Sequence, residues 1–204
     1  MDNCSYQNKI IEYIKDKGGD NVFVPSDFAM LANSEALKKA LQRLVADNLI
    51  IRLFRGVYYY PRYIELLGEN SMPNPNDIAT AIARNYGWTI VPSGDAAMNV
   101  LGLSTQVVAS WVYLSDGPYK SYECDGYTIE FKHRANREIT NLSYTSAIVV
   151  QALKSLGKEN LSGEIISKLK DKLSSQDKTK LITETKFVSD WVYEIIKLIC
   201  EDTK

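Results

Sequence analysis

PSDFAMLANSEALKKALQRLVADNLIIRLFRGVYYYPR, residues 25–62, is the stretch of this chain that decides its fold. Two helices are expected in its first half, with Ser26 and Ser34 as their N-caps, because a serine hydroxyl can accept a hydrogen bond from a free N–H of the first turn. Along the second helix, apolar side chains recur at helical spacing: Leu37, Ala40, Leu41, Leu44 and Val45. The remaining face is polar and mostly basic: Lys38, Lys39, Gln42 and Arg43.

A tight β-ribbon is predicted to follow this helix. The runs 49–52 and 57–60 are rich in β-branched and aromatic residues, and Gly56 between them supplies the backbone freedom that a short reversal needs. The tyrosines at 58–60 are interpreted as packing residues, with Tyr59 the most exposed because it points away from its two neighbours. Two helices followed by a ribbon with a basic tip are typical of a winged helix-turn-helix, which is a DNA-binding domain.

The segments on either side of this stretch indicate two domains. Residues 5–17 have the spacing of a helix and residues 21–24 are β-prone, so residues 1–67 are predicted to form the winged helix-turn-helix domain. GENSMPNPND, residues 68–77, is rich in turn residues and contains two prolines, which favours a linker. Residues 74–204 are then expected to form the second domain.

The second domain is predicted to be mixed α/β up to about residue 157 and helical after it. Before that point the patterns indicate a helix from Asn76 or Asp77 to Gly87, a strand at 88–91, a short helix at 95–101, a strand at 109–114, a hairpin at 119–132 and a helix at 142–156. The reversal of the hairpin is expected at Asp125-Gly126. The last helix has an apolar stripe: Phe187, Trp191, Ile195, Leu198 and Ile199. The whole chain is therefore predicted to have an α+β fold.

Composition and charge limit the classes of function. The 204 residues are 45% apolar and 24% charged, with a net charge of −1, so the chain is not globally basic. Residues 26–63 carry six basic and three acidic side chains, and any DNA contact is expected to come from this local patch. Cys4, Cys124 and Cys200 are widely spaced and His133 is the single histidine. These residues indicate neither a disulfide framework nor a zinc site nor a Ser-His-Asp triad.

The start of the sequence and its hydropathy indicate a cytoplasmic protein. Residues 1–5, MDNCS, are polar, and no basic segment precedes an apolar run as in a signal peptide. The longest apolar stretches are too short to cross a bilayer. No membrane association is therefore expected.

The candidate DNA-contacting residues lie on the second helix and on the ribbon: Ser34, Lys38, Lys39, Gln42, Arg43, Arg52 and Arg55. Gln42 and Arg43 are expected at base edges, since glutamine can bond adenine, and arginine guanine, through two hydrogen bonds. The other four basic residues are expected at phosphates or in a groove. The competing interpretation is a solvated helix face with charges that protect an exposed hairpin edge. No catalytic residue, metal ligand or cofactor is predicted.

Two other functions fit the same sequence. Asp116 or Asp125, followed by Glu130 and Lys132 on one strand, resembles the D…ExK arrangement with which some nucleases hold Mg²⁺. A charge pair between Glu130 and Lys132 on the solvent side of the hairpin is the simpler interpretation of that pattern. The other function is a transcriptional regulator in which residues 74–157 sense a small ligand.

Five blocks of the sequence resemble the AbiEi-type antitoxins of bacterial AbiE toxin–antitoxin systems: VPSDFA (24–29), ALKKALQRLVADNLIIRLFRGVYYYP (36–61), GWTIVPSGDAAMNVLGLSTQ (87–106), VYLSDGP (112–118) and TIEFKHR (128–134). Together they span most of residues 22–157. The first two blocks suit many winged-helix regulators, whereas their combination with the third and fourth is more specific. Residues 158–204 match least.

The resemblance implies a two-part protein of a phage-defence system. Its winged helix would repress the antitoxin–toxin operon by binding inverted repeats in the promoter. Its second domain would neutralise an AbiEii-like nucleotidyltransferase toxin. Antitoxins of this kind are described as type IV, which counter the toxin without necessarily forming a stable complex. The partners implied are double-stranded promoter DNA and that toxin, and no enzymatic activity is implied.

Overall fold

Two compact units make up the chain, Met1–Trp88 and Thr89–Lys204. The computed structural model describes residues 3–124, 126–134 and 141–201, and the fold is mixed α+β, as predicted. The boundary between the units follows Trp88, later in the chain than the linker expected at 68–77.

The first unit consists of a small antiparallel sheet with helices before and after it. Its elements are α1 (Asn3–Asp16), β1 (Asn21–Phe23), a 3-10 helix (Pro25–Phe28), α2 (Ser34–Ala46), β2 (Ile51–Phe54), β3 (Val57–Tyr60), β4 (Tyr63–Ile64), β5 (Glu69–Asn70) and α3 (Pro75–Tyr86). The strand order is β1-β3-β2, and β4 pairs with β5 in a separate hairpin. The predicted order was helix, strand, helix, helix and ribbon, and it is observed except that the second of these helices is only a four-residue 3-10 helix.

Both expected helix caps differ from the prediction. Asn33, not Ser34, caps α2: its backbone is extended, with ψ 163°, and its Oδ1 accepts a hydrogen bond from Ala36 N at 2.9 Å. Ser34 is the first residue of the helix. The helix expected from Ser26 is only the 3-10 helix that starts at Pro25, where the fixed proline φ suits a first helical position.

The core of the first unit lies between α1, α2 and one face of the sheet. Its buried side chains are Ile10, Ile14, Phe23, Phe28, Leu37, Ala40, Leu41, Leu44, Ile50 and Tyr58. Phe28 meets Phe23 edge to face, with ring centroids 5.3 Å apart. Burial of each large apolar side chain contributes roughly 1.5–3 kcal/mol, so the stripe predicted on α2 is what holds that helix on the sheet.

Tyr59 was expected to be the most exposed of the three tyrosines, and this was wrong. Only 1% of it is exposed, because α3 packs on β1 and β3 and so covers the second face of the sheet. The Tyr59 hydroxyl lies 2.9 Å from Asp20 Oδ1 and 2.8 Å from Ser71 Oγ. The central strand β3 is therefore buried on both faces.

The linker expected at 68–77 is instead part of the first unit. It contains β5 and the buried Ser71, whose hydroxyl accepts a hydrogen bond from Arg62 N at 2.8 Å. Asn74 then caps α3 by accepting a hydrogen bond from Asn76 N at 2.9 Å, with Pro75 as the first helical residue. The turn residues in this segment therefore serve a tight hairpin and a helix start.

In its described residues, the second unit combines a four-stranded sheet with five α-helices and a 3-10 helix. Its elements are β6 (Ile90–Pro92), α4 (Asp95–Val100), β7 (Ser110–Ser115), β8 (Lys120–Cys124), β9 (Tyr127–His133), α5 (Tyr144–Leu156), a 3-10 helix (Lys158–Asn160), α6 (Gly163–Lys172), α7 (Ser175–Glu184) and α8 (Asp190–Cys200). The strand order is β6-β7-β9-β8, in which β7 and β9 are parallel and β8 and β9 form the predicted hairpin. Asp125, in the expected reversal, lies outside the described residues.

A helical core dominates the second unit. It is formed by buried side chains of α4 to α8, among them Ala97, Ile148, Val149, Leu153, Leu169, Leu181, Val192, Ile196 and Ile199. Phe187 was expected on the buried stripe of the last helix, but it precedes α8 and is 94% exposed. Across the described residues, none of the helices is both long and apolar enough to cross a membrane.

Candidate nucleic-acid interface

The exposed side of α2 carries two parallel rows of polar side chains. Positions four apart fall on one face of a helix, so Ser34, Lys38 and Gln42 form one row. Glu35, Lys39 and Arg43 form the next. The two rows differ in what they face.

The first row lines a groove between α2 and the ribbon β2–β3. The groove has a volume of about 370 Å³. It is lined by Pro25, Ser34, Lys38, Gln42, Val45, Arg52, Arg55, Gly56 and Tyr58. The structure thus brings together five of the seven residues that the sequence singled out, from two elements that are separate in the chain.

The lining of this groove is cationic. Lys38 comes from α2, whereas Arg52 and Arg55 come from β2 and from the turn of the ribbon, and all three side chains are exposed. Among the described residues that line the groove, none carries a carboxylate. Such a lining favours an anion, and hydrogen-bond donors and acceptors are supplied beside it by Ser34 and Gln42.

The ribbon holds its arginines on a short reversal. Only Arg55 and Gly56 separate β2 from β3. Gly56 has a backbone φ of 78°, a conformation that residues with a Cβ rarely adopt. Arg52 lies opposite Tyr58 in the ladder, and its Nε donates a hydrogen bond to Phe54 O at 3.4 Å. The Arg52 side chain is thereby directed along the strand toward the turn that carries Arg55.

The second row of α2 lies outside the groove lining. Lys39 Nζ is 2.8 Å from Glu35 Oε1, and the hydrogen bond from Lys39 lowers the pKa of Glu35. Both side chains are well exposed, so this pair contributes little to stability. Arg43, one turn further on, is exposed. Lys39 and Arg43 therefore present charge beside the groove.

Several groove residues were missed from the sequence. Pro25, Val45 and Tyr58 form apolar parts of the lining. Val45 was considered only as part of the apolar stripe of α2, and Tyr58 only as a packing residue. The spacing of Val45 from Gln42 places it on the same face of the helix, which is a signal that could have been used. Nothing local to Pro25 indicates its position at the groove.

Among the described residues of the D…ExK pattern, Asp116 does not join Glu130 and Lys132 in one site. Glu130 pairs with Lys132 at 3.6 Å and accepts a hydrogen bond from Ser110 Oγ at 2.8 Å. Asp116 lies four residues beyond the position of β7 opposite Glu130, roughly 13 Å along an extended chain, and its Oδ1 instead accepts from Thr89 N at 2.8 Å. Asp125 lies outside the described residues.

Metal-ligand and thiol chemistry have no assembled centre in the described part of the chain. No group of three or more His, Cys, Asp or Glu side chains there could hold a metal ion. Cys124 and Cys200 are free, and burial raises the pKa of both thiols. The Cys4 side chain lies outside the described part.

Comparison with known proteins shows the family of this chain. The family described as a family of unknown function, DUF6088, matches residues 9–181, and the chain belongs to it. No curated protein matches the chain. Among solved structures it is similar to the crystal structure of the RV2827C protein from Mycobacterium tuberculosis. That similarity has 11% identity and a TM-score of 0.41, and it covers 96% of this chain and 76% of the other.

Proposed function

We propose that this member of DUF6088 is a DNA-binding transcriptional autorepressor and antitoxin of the bacterial cytoplasm. The observation that carries the DNA-binding part is the cationic groove, in which Lys38 from α2 meets Arg52 and Arg55 from the ribbon. Phosphate contacts of lysine and arginine supply most of the affinity of such proteins for duplex DNA. The proposed function involves no catalytic step and no cofactor.

The geometry supports the winged-helix interpretation of the first unit. A helix with an exposed basic face stands beside a short basic ribbon, and α1 and β1 brace both from behind. In winged helix-turn-helix proteins the second helix of the motif enters the major groove and the ribbon lies along the backbone. We place Gln42 and Arg43 at base edges, and Lys38, Lys39, Arg52 and Arg55 at phosphates.

The test of DNA binding is a titration of a labelled duplex from the promoter of the chain's own gene. A scrambled duplex of equal composition serves as the reference. The triple variant Lys38→Ala/Arg52→Ala/Arg55→Ala is expected to bind at least about 100-fold more weakly, because each cation that no longer meets a phosphate leaves one more counterion on the DNA. All three side chains are exposed, so its thermal midpoint should stay near that of the wild type. If this variant binds as tightly as the wild type, the groove is not the interface.

The antitoxin part of the proposal rests on the resemblance to AbiEi-type antitoxins. It assigns neutralisation of a nucleotidyltransferase-like toxin to the second unit, Thr89–Lys204. The test co-expresses the full-length chain with the nucleotidyltransferase encoded beside it and measures growth. The triple groove variant is expected to restore growth as well as the wild type does while failing to repress the promoter. Loss of both activities in this variant would contradict the separation of the two functions.

A further inference from the structure

The turn of the ribbon touches a residue of α3 that lies outside the predicted recognition surface. A Cβ built on Gly56 would stand 2.8 Å from Asn85 Oδ1 and 3.1 Å from Asn85 Nδ2. The side-chain amide of Asn85 therefore already lies against the turn in van der Waals contact. This turn also carries Arg55, which lines the cationic groove.

The polar groups near Asn85 on α3 are engaged in hydrogen bonds or ion pairs, whereas its own amide is only packed against the turn. Arg84, beside it, is paired with Asp27 Oδ2 at 3.0 Å, and Thr80 Oγ1 donates a hydrogen bond to Asn76 O at 2.8 Å. For the half-buried Asn85 side chain, no hydrogen bond is found to any described residue. A carboxamide can donate two hydrogen bonds and accept two, and none of these is made to a described residue.

The position of Asn85 is fixed by the rest of α3. The helix buries Ile78, Ala79 and Ile82 in the first unit, and its Arg84 is held by Asp27. A polar group on an anchored helix loses little conformational freedom when it binds, so its hydrogen bonds are not offset by ordering. The Asn85 amide therefore has a fixed position against the turn that carries Arg55.

We propose that α3 is a third element of the DNA interface and that Asn85 donates a hydrogen bond to a phosphate oxygen next to the one that Arg55 contacts. This inference rests on the proposed function, because it needs the groove to hold duplex DNA. Neutral side chains such as asparagine are common at phosphates, where they fix the position of the protein on the duplex. An amide carries no charge, so its contact releases no counterion.

That absence of charge makes the contact measurable. Affinity for the promoter duplex is titrated at several salt concentrations for the wild type, Asn85→Ala, Asn85→Asp and Arg55→Ala. Asn85→Ala is expected to bind about threefold to tenfold more weakly, with an unchanged slope of log affinity against log salt. Arg55→Ala should weaken binding and lower that slope by about one. Asn85→Asp is nearly isosteric, and its carboxylate should weaken binding beyond the alanine variant, most strongly at low salt.

Thr80→Ala is the matched control, because Thr80 is an exposed residue of the same helix and should leave affinity unchanged. Thermal midpoints of all variants are compared without DNA, and the near-isosteric Asn85→Asp keeps the test valid if the alanine variant folds poorly. If Asn85→Ala and Asn85→Asp both bind with wild-type affinity, this inference is overturned and the proposed function is not affected. A slope change in Asn85→Ala equal to that of Arg55→Ala would also overturn it, since Asn85 would then act through the arginine. Failure of the wild type to bind the duplex would overturn the proposed function as well.

Discussion

The Tyr59 hydroxyl donates a hydrogen bond to Asp20 Oδ1 at 2.9 Å, although the two residues lie 39 positions apart in the chain. The Ser71 hydroxyl also bonds Asp20, and Arg62 Nη2 lies 3.1 Å from Asp20 Oδ2. Burial is the main cause that raises the pKa of Tyr59 to about 12, and the nearby carboxylate adds to it. This polar cluster joins the turn before β1, the centre of the sheet and the segment after the ribbon.

We expect Tyr59→Phe to destabilise the first unit by about 1–3 kcal/mol, because the change leaves the buried polar partners of the hydroxyl unsatisfied. Urea unfolding followed by circular dichroism measures this loss. Tyr60→Phe is the control: Tyr60 is only half-buried and should change stability by less than about 0.5 kcal/mol. Equal effects of the two variants would show that the cluster contributes nothing specific.

Stability should depend on the ionisation of Asp20 at acid pH. Its hydrogen bond from Ser71, with those from Tyr59 and the Arg62 ion pair, lowers the pKa of Asp20 despite partial burial. A lowered folded-state pKa stabilises the fold above the unfolded value of about 3.9, and this contribution is lost as the pH falls through the folded value. Asn is tolerated at the φ of 68° found here. The excess stability of the wild type over Asp20→Asn should therefore be constant from about pH 7 to about pH 5 and shrink below about pH 4. An excess that grows on acidification would contradict this.

Substitutions of Asn33 and Ser34, at the start of α2, should have different effects: the first on stability and the second on DNA affinity. Asn33→Ala removes the cap and is expected to cost about 1 kcal/mol in unfolding free energy. Ser34→Ala should leave stability within about 0.5 kcal/mol, since Ser34 is exposed and caps nothing, while DNA affinity falls. Chemical denaturation and duplex titration of both variants check this. If Ser34→Ala lowered the free energy of unfolding by more than Asn33→Ala does, Ser34 and not Asn33 would be the cap of α2.

Lys38 and Lys39 should differ in their contribution to DNA affinity. Lys38 lines the groove, whereas Lys39 lies on the adjacent row and is paired with Glu35. Both alanine variants are expected to weaken binding to all sequences and to flatten the salt dependence, with the larger effect for Lys38→Ala. Titrations at several salt concentrations on promoter and scrambled duplexes measure it. A larger effect for Lys39→Ala would place the second row of α2 against the phosphates.

Arg43→Ala should change sequence preference. If Arg43 bonds a guanine edge, its removal costs on the order of 1–3 kcal/mol on the promoter duplex and much less on a scrambled duplex. Competition between the two duplexes gives the ratio directly. An equal effect on both would make Arg43 a phosphate-binding residue.

The order of elements could be predicted because local signals decide it. The apolar spacing of α2, Gly56 in the ribbon and the hairpin around Gly126 each act over a few residues. Five of the seven candidate residues meet in the groove for the same reason, since one helix face and one short ribbon carry them. Pro25 lines the groove from outside those two elements, and no local pattern indicates its position there.

The predictions that were wrong concern residues whose surroundings are set by parts of the chain far away in sequence. Tyr59 alternates as an exposed position would, and only the packing of α3 on the sheet buries it. The turn residues around Ser71 are compatible with a linker, and their contact with Asp20 is formed across 51 positions. Asn85 had no signal in the sequence, because its significance follows from its distance to Gly56 alone.

The polar cluster around Asp20 also limits when the first unit can fold during biosynthesis. Residues 20, 59, 62 and 71 must all be present before the cluster closes, and α3 must follow before the second face of the sheet is covered. A ribosome that has released the chain only as far as the ribbon has therefore made every cationic residue of the groove without α3 and without the closed cluster. Because chains fold from the N-terminus as they emerge, the DNA affinity that we propose should appear only once α3, through Tyr86, has left the exit tunnel.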